Sequence, residues 1–290
     1  MKNLAKRTIV AAIFIPILIY IYYIGGPVLF GFLSIVTALC VYELNKMIYK
    51  QNYVLLSLNI LLGLLLFYMI AASSYTGEWG GTDKCVPYML DGTDKCVPYL
   101  WIIFILLCTM LINGAASVFT SKIEGAFFCI AGSLFAVFYP AMGFGLMYKL
   151  QHFHISLIPA LAILVWICDS AAYFIGMKFG KHRGVFKCSP QKSVEGFIAG
   201  FVSVAVFSSV LLFIIPDFYN LKLILVLTTS IGIFGQFGDL FESILKRDMK
   251  IKDSSNILPG HGGILDRFDS LLIAAPILYF YLELIPSGYF

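Results

Sequence analysis

Leu221-Lys-Leu-Ile-Leu-Val-Leu-Thr-Thr-Ser-Ile-Gly-Ile-Phe-Gly-Gln-Phe-Gly-Asp-Leu-Phe-Glu-Ser-Ile-Leu-Lys246 begins as an apolar run and ends in charge. The part over 221–241 is long enough to cross a bilayer, which takes roughly 20 mostly apolar residues of helix. Gly232, Gly235 and Gly238 are small residues of the kind that let neighbouring helix backbones approach. Asp239 and Glu242 stand near the end of the run. An ionisable residue in a membrane span is costly, which makes it a functional candidate. On a helix, Asp239, Glu242, Ser243 and Lys246 fall at i, i+3, i+4 and i+7 and line one face.

The rest of the chain repeats the apolar theme. Of 290 residues, 60% are hydrophobic and 12% charged, against about 25% charged in a soluble domain. A single water-soluble core is excluded. The pattern predicts an all-α integral membrane protein with about nine transmembrane helices, over 8–24, 28–43, 54–72, 99–118, 125–147, 155–177, 197–215, 221–241 and 269–286. The fifth is expected to break at Tyr139-Pro140. The first follows Lys2, Lys6 and Arg7, but no small-residue cleavage site comes after it, so it reads as a retained helix. With the N-terminus in the cytoplasm, 16 of the 20 Lys and Arg residues fall on inner segments, as the positive-inside rule asks. That puts the C-terminus outside and suits a bacterial inner (plasma) membrane.

Two halves differ. Residues 1–150 read as a scaffold of plain helices. Residues 151–290 read as a catalytic region, with cytoplasmic loops over 178–196 and 246–267. In the outer loop 73–98, Gly81-Thr-Asp-Lys-Cys-Val-Pro-Tyr88 recurs as Gly92-Thr-Asp-Lys-Cys-Val-Pro-Tyr99, the mark of a local duplication in a tolerant loop. A Cys85–Cys96 disulfide is the sharper reading of that loop. The other five cysteines have no metal-ligand spacing.

The chemistry gathers in the second half. Asp169 lies within the sixth span. Asp266, Asp269 and Ser270 repeat the i, i+3, i+4 arrangement, and the short loop before them would bring their face against that of Asp239. Clustered carboxylates at low dielectric repel strongly and stay ionised when a cation joins them. Oxygen ligands without a Cys/His pattern suit a hard ion such as Mg²⁺. The plain alternative is a set of ion pairs, for instance Asp266 with Lys246. The loop between supplies Lys246, Arg247, Lys250 and Lys252, then Leu258-Pro-Gly-His-Gly-Gly263, whose glycines can aim N–H groups at an anion. Over 239–269 there are five basic and six acidic residues, a near balance that suits a metal–polyphosphate site better than a purely basic lipid patch. A solvated basic loop is the bland reading of those lysines. His261 reads as a base, a phosphate contact or a turn residue. In the other loop, Ser189-Pro190 or Ser193 reads most simply as a cap on the following helix, with Lys187 and Lys192 free to meet headgroups or a nucleotide.

Ser243-Ile-Leu-Lys-Arg-Asp-Met-Lys-Ile-Lys-Asp-Ser-Ser-Asn-Ile-Leu-Pro-Gly-His-Gly-Gly-Ile-Leu-Asp-Arg-Phe-Asp269 resembles the signature of the phosphatidate cytidylyltransferase (CDP-diglyceride synthetase) family. The Asp169 segment and Ser189-Pro-Gln-Lys-Ser-Val-Glu-Gly196 also look like that family, so the likeness covers roughly 160–290. The resemblance implies transfer of a cytidylyl group from CTP to phosphatidic acid, with Mg²⁺, K⁺ as a second cation, and a homodimer. It implies membrane lipid, not nucleic acid, as the partner. It makes Asp239 and Asp266 metal ligands, with Asp169, Glu242 and Asp269 as further candidates. Lys246, Lys252 and Asp253 become catalytic candidates. Ser189, Lys192, Ser193, Arg247, His261, Gly262, Gly263 and Arg267 become substrate contacts. The rival readings are a CTP-dependent polyprenol or lipid kinase, and a cation transporter, which would show repeats and midplane carboxylates.

Overall fold

The computed structural model describes residues 16–49, 52–73, 97–119, 124–257 and 262–284, and among them the regular structure is helical, with one isolated bridge between Arg183 and Ser193. Residues 16–24 are helical, and a turn at Gly25 and Gly26, both with positive φ, leads into α1. The helices are α1 (Gly26–Ile48), α2 (Tyr53–Ala72), α3 (Val97–Phe119), α4 (Ala126–Lys149), α5 (Leu157–Phe179), α6 (Val194–Ser209), α7 (Leu221–Thr229), α8 (Gln236–Asp248) and α9 (Leu265–Leu284). A six-residue π-helical segment, Ser230–Gly235, joins α7 to α8 without a break.

Seven helices among the described residues are long and apolar enough to cross a membrane, and the chain is a multi-pass membrane protein. Nine spans were expected. The first is described only from residue 16 on, which leaves too short a helix for the count, and α9 carries Asp266, Arg267 and Asp269 in its first turns, which keeps it out of a count made by composition. The expected break at Pro140 does not occur: α4 runs through it. Membrane helices tolerate proline where neighbouring helices and side chains compensate for the lost hydrogen bond, and Pro140 is buried among them. Cys85 and Cys96 lie outside the described residues.

α4 sits at the centre and packs against α1, α2, α3 and α9, while α5 and α6 form a second, closely packed pair. Two glycines make that pair possible. A Cβ on Gly196 would come within 2.7 Å of the Ala172 carbonyl and 3.2 Å of the Gly176 Cα. In the first half, helices are glued by amides rather than by ions. Asn59 donates to Asn45 at 2.8 Å, and Asn113 donates to Asn59 at 3.0 Å, the interhelical bonding expected where no water competes. The helix ends that matter for function are the C-terminal ends of α5 and α8 and the N-terminal ends of α6 and α9, which meet at one end of the bundle.

Candidate active site

The glycine series in the 221–241 run does what small residues at that spacing are expected to do. A Cβ on Gly232 would lie 3.1 Å from the Phe201 Cα, and one on Gly238 would lie 2.7 Å from the Asp269 carbonyl. The backbone of α6 therefore closes on the π-helical segment, and that of α9 closes on α8. That approach brings the carboxylate face of α8 against the first turns of α9. Between them stands Lys246, donating to Glu242 Oε2 at 3.0 Å and to Asp266 Oδ1 at 2.7 Å. The ion-pair alternative of the sequence is thus realised at this position. Glu242 is fully buried, and its second oxygen, Oε1, has no hydrogen-bond partner.

The chain leaves α8 through a left-handed residue, Lys250 (φ 57°). The Lys250 N–H bonds to the Arg247 carbonyl at 3.0 Å, and the Ile251 N–H to the Lys246 carbonyl at 2.9 Å. This is the paired closure that ends many helices, with lysine where glycine is usual. The loop then folds back over α9. Asp266 Oδ2 accepts from the Ser254 N–H at 3.1 Å, the Ser254 hydroxyl at 3.1 Å and the Gly263 N–H at 2.8 Å. The Gly263 N–H, which the glycine pattern offered to a phosphate, is taken by the chain's own carboxylate. Gly262 has a positive φ of 82°, and a Cβ there would come within 2.7 Å of Asp266 Oδ2.

From the other side, the loop 178–196 closes the site. Ser193 caps α6, its hydroxyl accepting from the Gly196 N–H at 3.1 Å, as the sequence suggested. Arg183 turns back to donate to the Gly176 and Met177 carbonyls at the end of α5, at 3.0 and 3.1 Å. Those carbonyls carry the negative end of the helix dipole. Lys192 forms an ion pair with Asp239. Arg247 ties the two loops together by donating to the Cys188 carbonyl at 3.3 Å and the Ile251 carbonyl at 3.2 Å.

Together these elements enclose a cavity of about 710 Å³. Asp169 from α5, Asp239 from α8, and Asp266 and Asp269 from α9 line it, with Arg183, Lys192, Lys246 and Arg267 among them. Ser189 and Ser193 line it as well. Arg247, in the last turn of α8, and Lys252, Asp253, Gly262 and Gly263 of the loop do not line the cavity, Glu242 lies buried beneath it, and His261 is outside the described residues. The cavity lies within the usual ligand pocket range of ~300–1,000 Å³, and both signs of charge face into it. That lining suits a polyphosphate and its cation more than an uncharged substrate.

The donor set also fits a hard divalent ion. Three aspartates from three helices, Asp169, Asp239 and Asp269, face one cavity, and a buried carboxylate oxygen of Glu242 stands unpartnered nearby. Among the described residues, no three acidic, His or Cys side chains converge as a ready-made metal cage. Mg²⁺ does not need one: it usually keeps several waters and binds through one or two carboxylates plus substrate phosphates.

Four participants were not singled out from sequence. Glu43 of α1, in the half read as plain scaffold, is fully buried and accepts from Ser254, Ser255, Ile264 and Leu265. It sits at the edge of the apolar run 28–43, where a glutamate looks like an interfacial residue, but α1 continues another turn to Ile48 and takes it inside. Gln236 lines the cavity and donates to the Phe197 carbonyl at 3.0 Å, fixing α8 to α6. Ser254 bridges Glu43 and Asp266. Tyr139 of α4 is buried with its hydroxyl unpartnered, and it packs on Phe241.

A family model described as the cytidylyltransferase family matches residues 5–285. Over 158 residues the chain is 41% identical to a phosphatidate cytidylyltransferase of Staphylococcus haemolyticus, covering 54% of this chain and 61% of that protein. Over 140 residues it is 44% identical to a phosphatidate cytidylyltransferase of Bacillus subtilis, covering 47% of this chain and 51% of that protein. A third, from Staphylococcus saprophyticus, is 39% identical over 158 residues. The matched stretch thus spans a little over half the length of these curated relatives. The family model takes in nearly the whole sequence, both the helices around Glu43 and the loops around Asp239 and Asp266, and the chain belongs to the cytidylyltransferase family.

Proposed function

We propose that the chain is a phosphatidate cytidylyltransferase, a nucleotidyltransferase that converts CTP and phosphatidic acid into CDP-diacylglycerol and pyrophosphate. The observation that carries the reading is the cavity of mixed charge, where aspartates of three helices meet Lys192, Lys246 and Arg267 in a chain of this family. The relatives named above carry the same activity in their names.

In the proposed reaction an oxygen of the lipid phosphate attacks the α-phosphorus of CTP. The bond from that phosphorus to the bridging oxygen of the β-phosphate breaks in line, and its electrons leave on pyrophosphate. The attacking oxygen belongs to a phosphate monoester already largely ionised near neutral pH, so no strong base is needed. Positioning and charge stabilisation do most of the work in such a transfer. Asp239 and Asp266 would hold Mg²⁺, with Asp169, Glu242 and Asp269 as further oxygen donors and K⁺ as a second cation. Bound there, Mg²⁺ supplies positive charge to phosphate oxygens that would otherwise repel. Lys192 and Arg267 receive phosphate oxygens, together with the hydroxyls of Ser189 and Ser193. Lys246 holds Asp266 in place, while Arg247, Lys252, Asp253, His261, Gly262 and Gly263 shape the loop over the phosphates.

The half comprising 1–150 then serves mainly as scaffold and 151–290 as the catalytic region. The cavity opens to the cytoplasm of a bacterial inner membrane, with the N-terminus inside and the C-terminus outside. CTP enters from the cytoplasm, phosphatidic acid from the inner leaflet, and the working unit is a homodimer.

The test is an assay of the purified chain in detergent with CTP, phosphatidic acid, Mg²⁺ and K⁺, following pyrophosphate and labelled lipid together. Both products should appear, vanish with EDTA and be absent from Asp239→Asn protein. Absence of both from folded wild-type protein overturns the proposal. Release of CDP with a prenol acceptor would replace it by a lipid kinase.

A further inference from the structure

We propose that Glu43, on a helix far in sequence from the loops of the site, is a positioning residue that sets Asp266 and the ends of the loop that leads into α9. The inference rests on the cytidylyltransferase reading for its rate measurements, and on geometry alone for the contact itself.

Both oxygens of Glu43 are fully engaged. Oε2 accepts from the Ser254 hydroxyl and the Leu265 N–H, each at 2.9 Å. Oε1 accepts from the Ser255 hydroxyl at 2.5 Å and the Ile264 N–H at 2.9 Å. Ile264 and Leu265 open α9, so two N–H groups that no helical carbonyl can satisfy are met by a carboxylate at the positive end of the helix dipole. Ser254 and Ser255 stand at the far side of the same loop. One side chain therefore clamps the loop where it leaves α8 and where it returns to α9.

The clamp is coupled to the site through Ser254. Its hydroxyl lies 2.9 Å from Glu43 and 3.1 Å from Asp266, and its N–H reaches Asp266 as well. A hydroxyl has one proton to give, so the two carboxylates share one donor and their positions are linked. Nothing can slide between them. A Cβ on Gly263 would stand 1.8 Å from the Ser254 hydroxyl oxygen and 2.7 Å from each Glu43 oxygen. A simple helix cap would not require this arrangement, since a serine or threonine at the N-cap does that task without burying a carboxylate in a membrane helix bundle. Glu43 touches no cavity surface, so its effect on turnover must pass through Ser254, Gly263 and Asp266.

The experiment compares wild type, Glu43→Gln and Glu43→Asp in lipid nanodiscs, by amide hydrogen exchange and by initial rates. Glu43→Gln keeps the shape and loses two acceptor sites. At least one of the Ile264 and Leu265 amides, the one left facing the carboxamide nitrogen, should exchange at least about tenfold faster, and turnover should fall about 10–100-fold, with a similar rise in the Mg²⁺ needed for half-maximal rate, as when groups that orient a metal ligand are lost. The KM for CTP should change little, and Glu43→Asp should recover part of the Mg²⁺ dependence. Ser255→Ala, which removes a Glu43 contact and none to Asp266, should move both measurements in the same direction and serves if Glu43→Gln does not fold. Unchanged exchange at Ile264 and Leu265 overturns the clamp. A lower Tm with wild-type turnover and Mg²⁺ dependence per folded molecule makes Glu43 a helix cap only and overturns the positioning role. Wild-type protein that makes no CDP-diacylglycerol sinks the parent reading instead, and the exchange data still decide the clamp.

Discussion

Lys246 bridges two carboxylates of the site. Its ammonium meets a fully buried glutamate and a largely buried aspartate. Burying two carboxylates against one lysine leaves a net negative charge in a low-dielectric place, which is tolerable only while the lysine stays. Lys246→Met should therefore destabilise the protein by roughly 3 kcal/mol, the scale for breaking a buried pair by removing one partner. Adding Glu242→Gln to it should restore much of the loss, because the orphaned charge is gone, yet turnover should stay absent. Thermal unfolding in detergent, read beside the rate assay, separates the two. The Asp239, Glu242 and Lys246 face was legible in the sequence because i, i+3, i+4 and i+7 spacing is a property of any helix. The pairing of Asp266 with Lys246 was legible too, as the ion-pair alternative, and the fold realises it at Oδ1. That Ser254 and Gly263 would hold Oδ2 was not.

At the scale of elements, two helix features carry predictions. The end of α8 places Lys250 in the left-handed region, which is unfavourable for a residue with a Cβ by about 1–2 kcal/mol. Lys250→Gly should raise stability by up to about 1 kcal/mol, visible as a higher Tm, and leave the closure of the helix intact. Gly238 is the opposite case. Its backbone is ordinary, but a methyl there meets the Asp269 carbonyl, and overpacking of this kind costs about 1–3 kcal/mol. Gly238→Ala should lower Tm and reduce turnover more than the stability loss explains, since it wedges α8 from α9 where Asp239 and Asp269 face the cavity. Equal turnover at reduced Tm would show that the spacing of these helices does not matter to the reaction. The π-helical segment at Ser230–Gly235 was invisible in the sequence. Such segments are frequent at functional sites, and this one changes the rotation between the apolar α7 and the charged α8.

For the molecule as a whole, the core is continuous from α1 through α4 to α9. Helices of the first half therefore bear on the site of the second, as Glu43 and Tyr139 do. Orientation can be read through Cys188, which lies in the loop 178–196 at the cavity end. In a background lacking Cys85 and Cys96, a membrane-impermeant maleimide should label Cys188 in inside-out vesicles and not in sealed right-side-out ones; the reverse would invert the proposed topology. At the other end of the bundle, His154 bonds to Ser156 at 2.7 Å, Ser156 lies 2.8 Å from the Tyr219 hydroxyl, and His154 stacks on Phe218. Burial pushes the His154 imidazole below its usual value and the Tyr219 phenol up to about 12. A histidine whose folded value is lowered gives stability that is whole above its ordinary titration range. That stability is lost as pH falls from there toward the folded value. Tm should decline between pH 7 and pH 5, and His154→Asn should flatten part of that decline.

The sequence by itself determined that the chain is helical, crosses a membrane several times and keeps its charge near one end of its last helices. Those conclusions rest on length, apolarity and helical period, which are local and need no partner. It also exposed the residues of the 243–269 stretch, because charge so close to apolar runs is costly enough to stand out. Only the tertiary structure decided which carboxylates face the cavity, that Pro140 leaves its helix unbroken, and that Glu43 reaches across 211 positions to Ser254. Those facts depend on backbones brought together at Gly196, Gly238 and Gly263. Close approach of that kind is set by the shapes of both surfaces, and no single segment contains it.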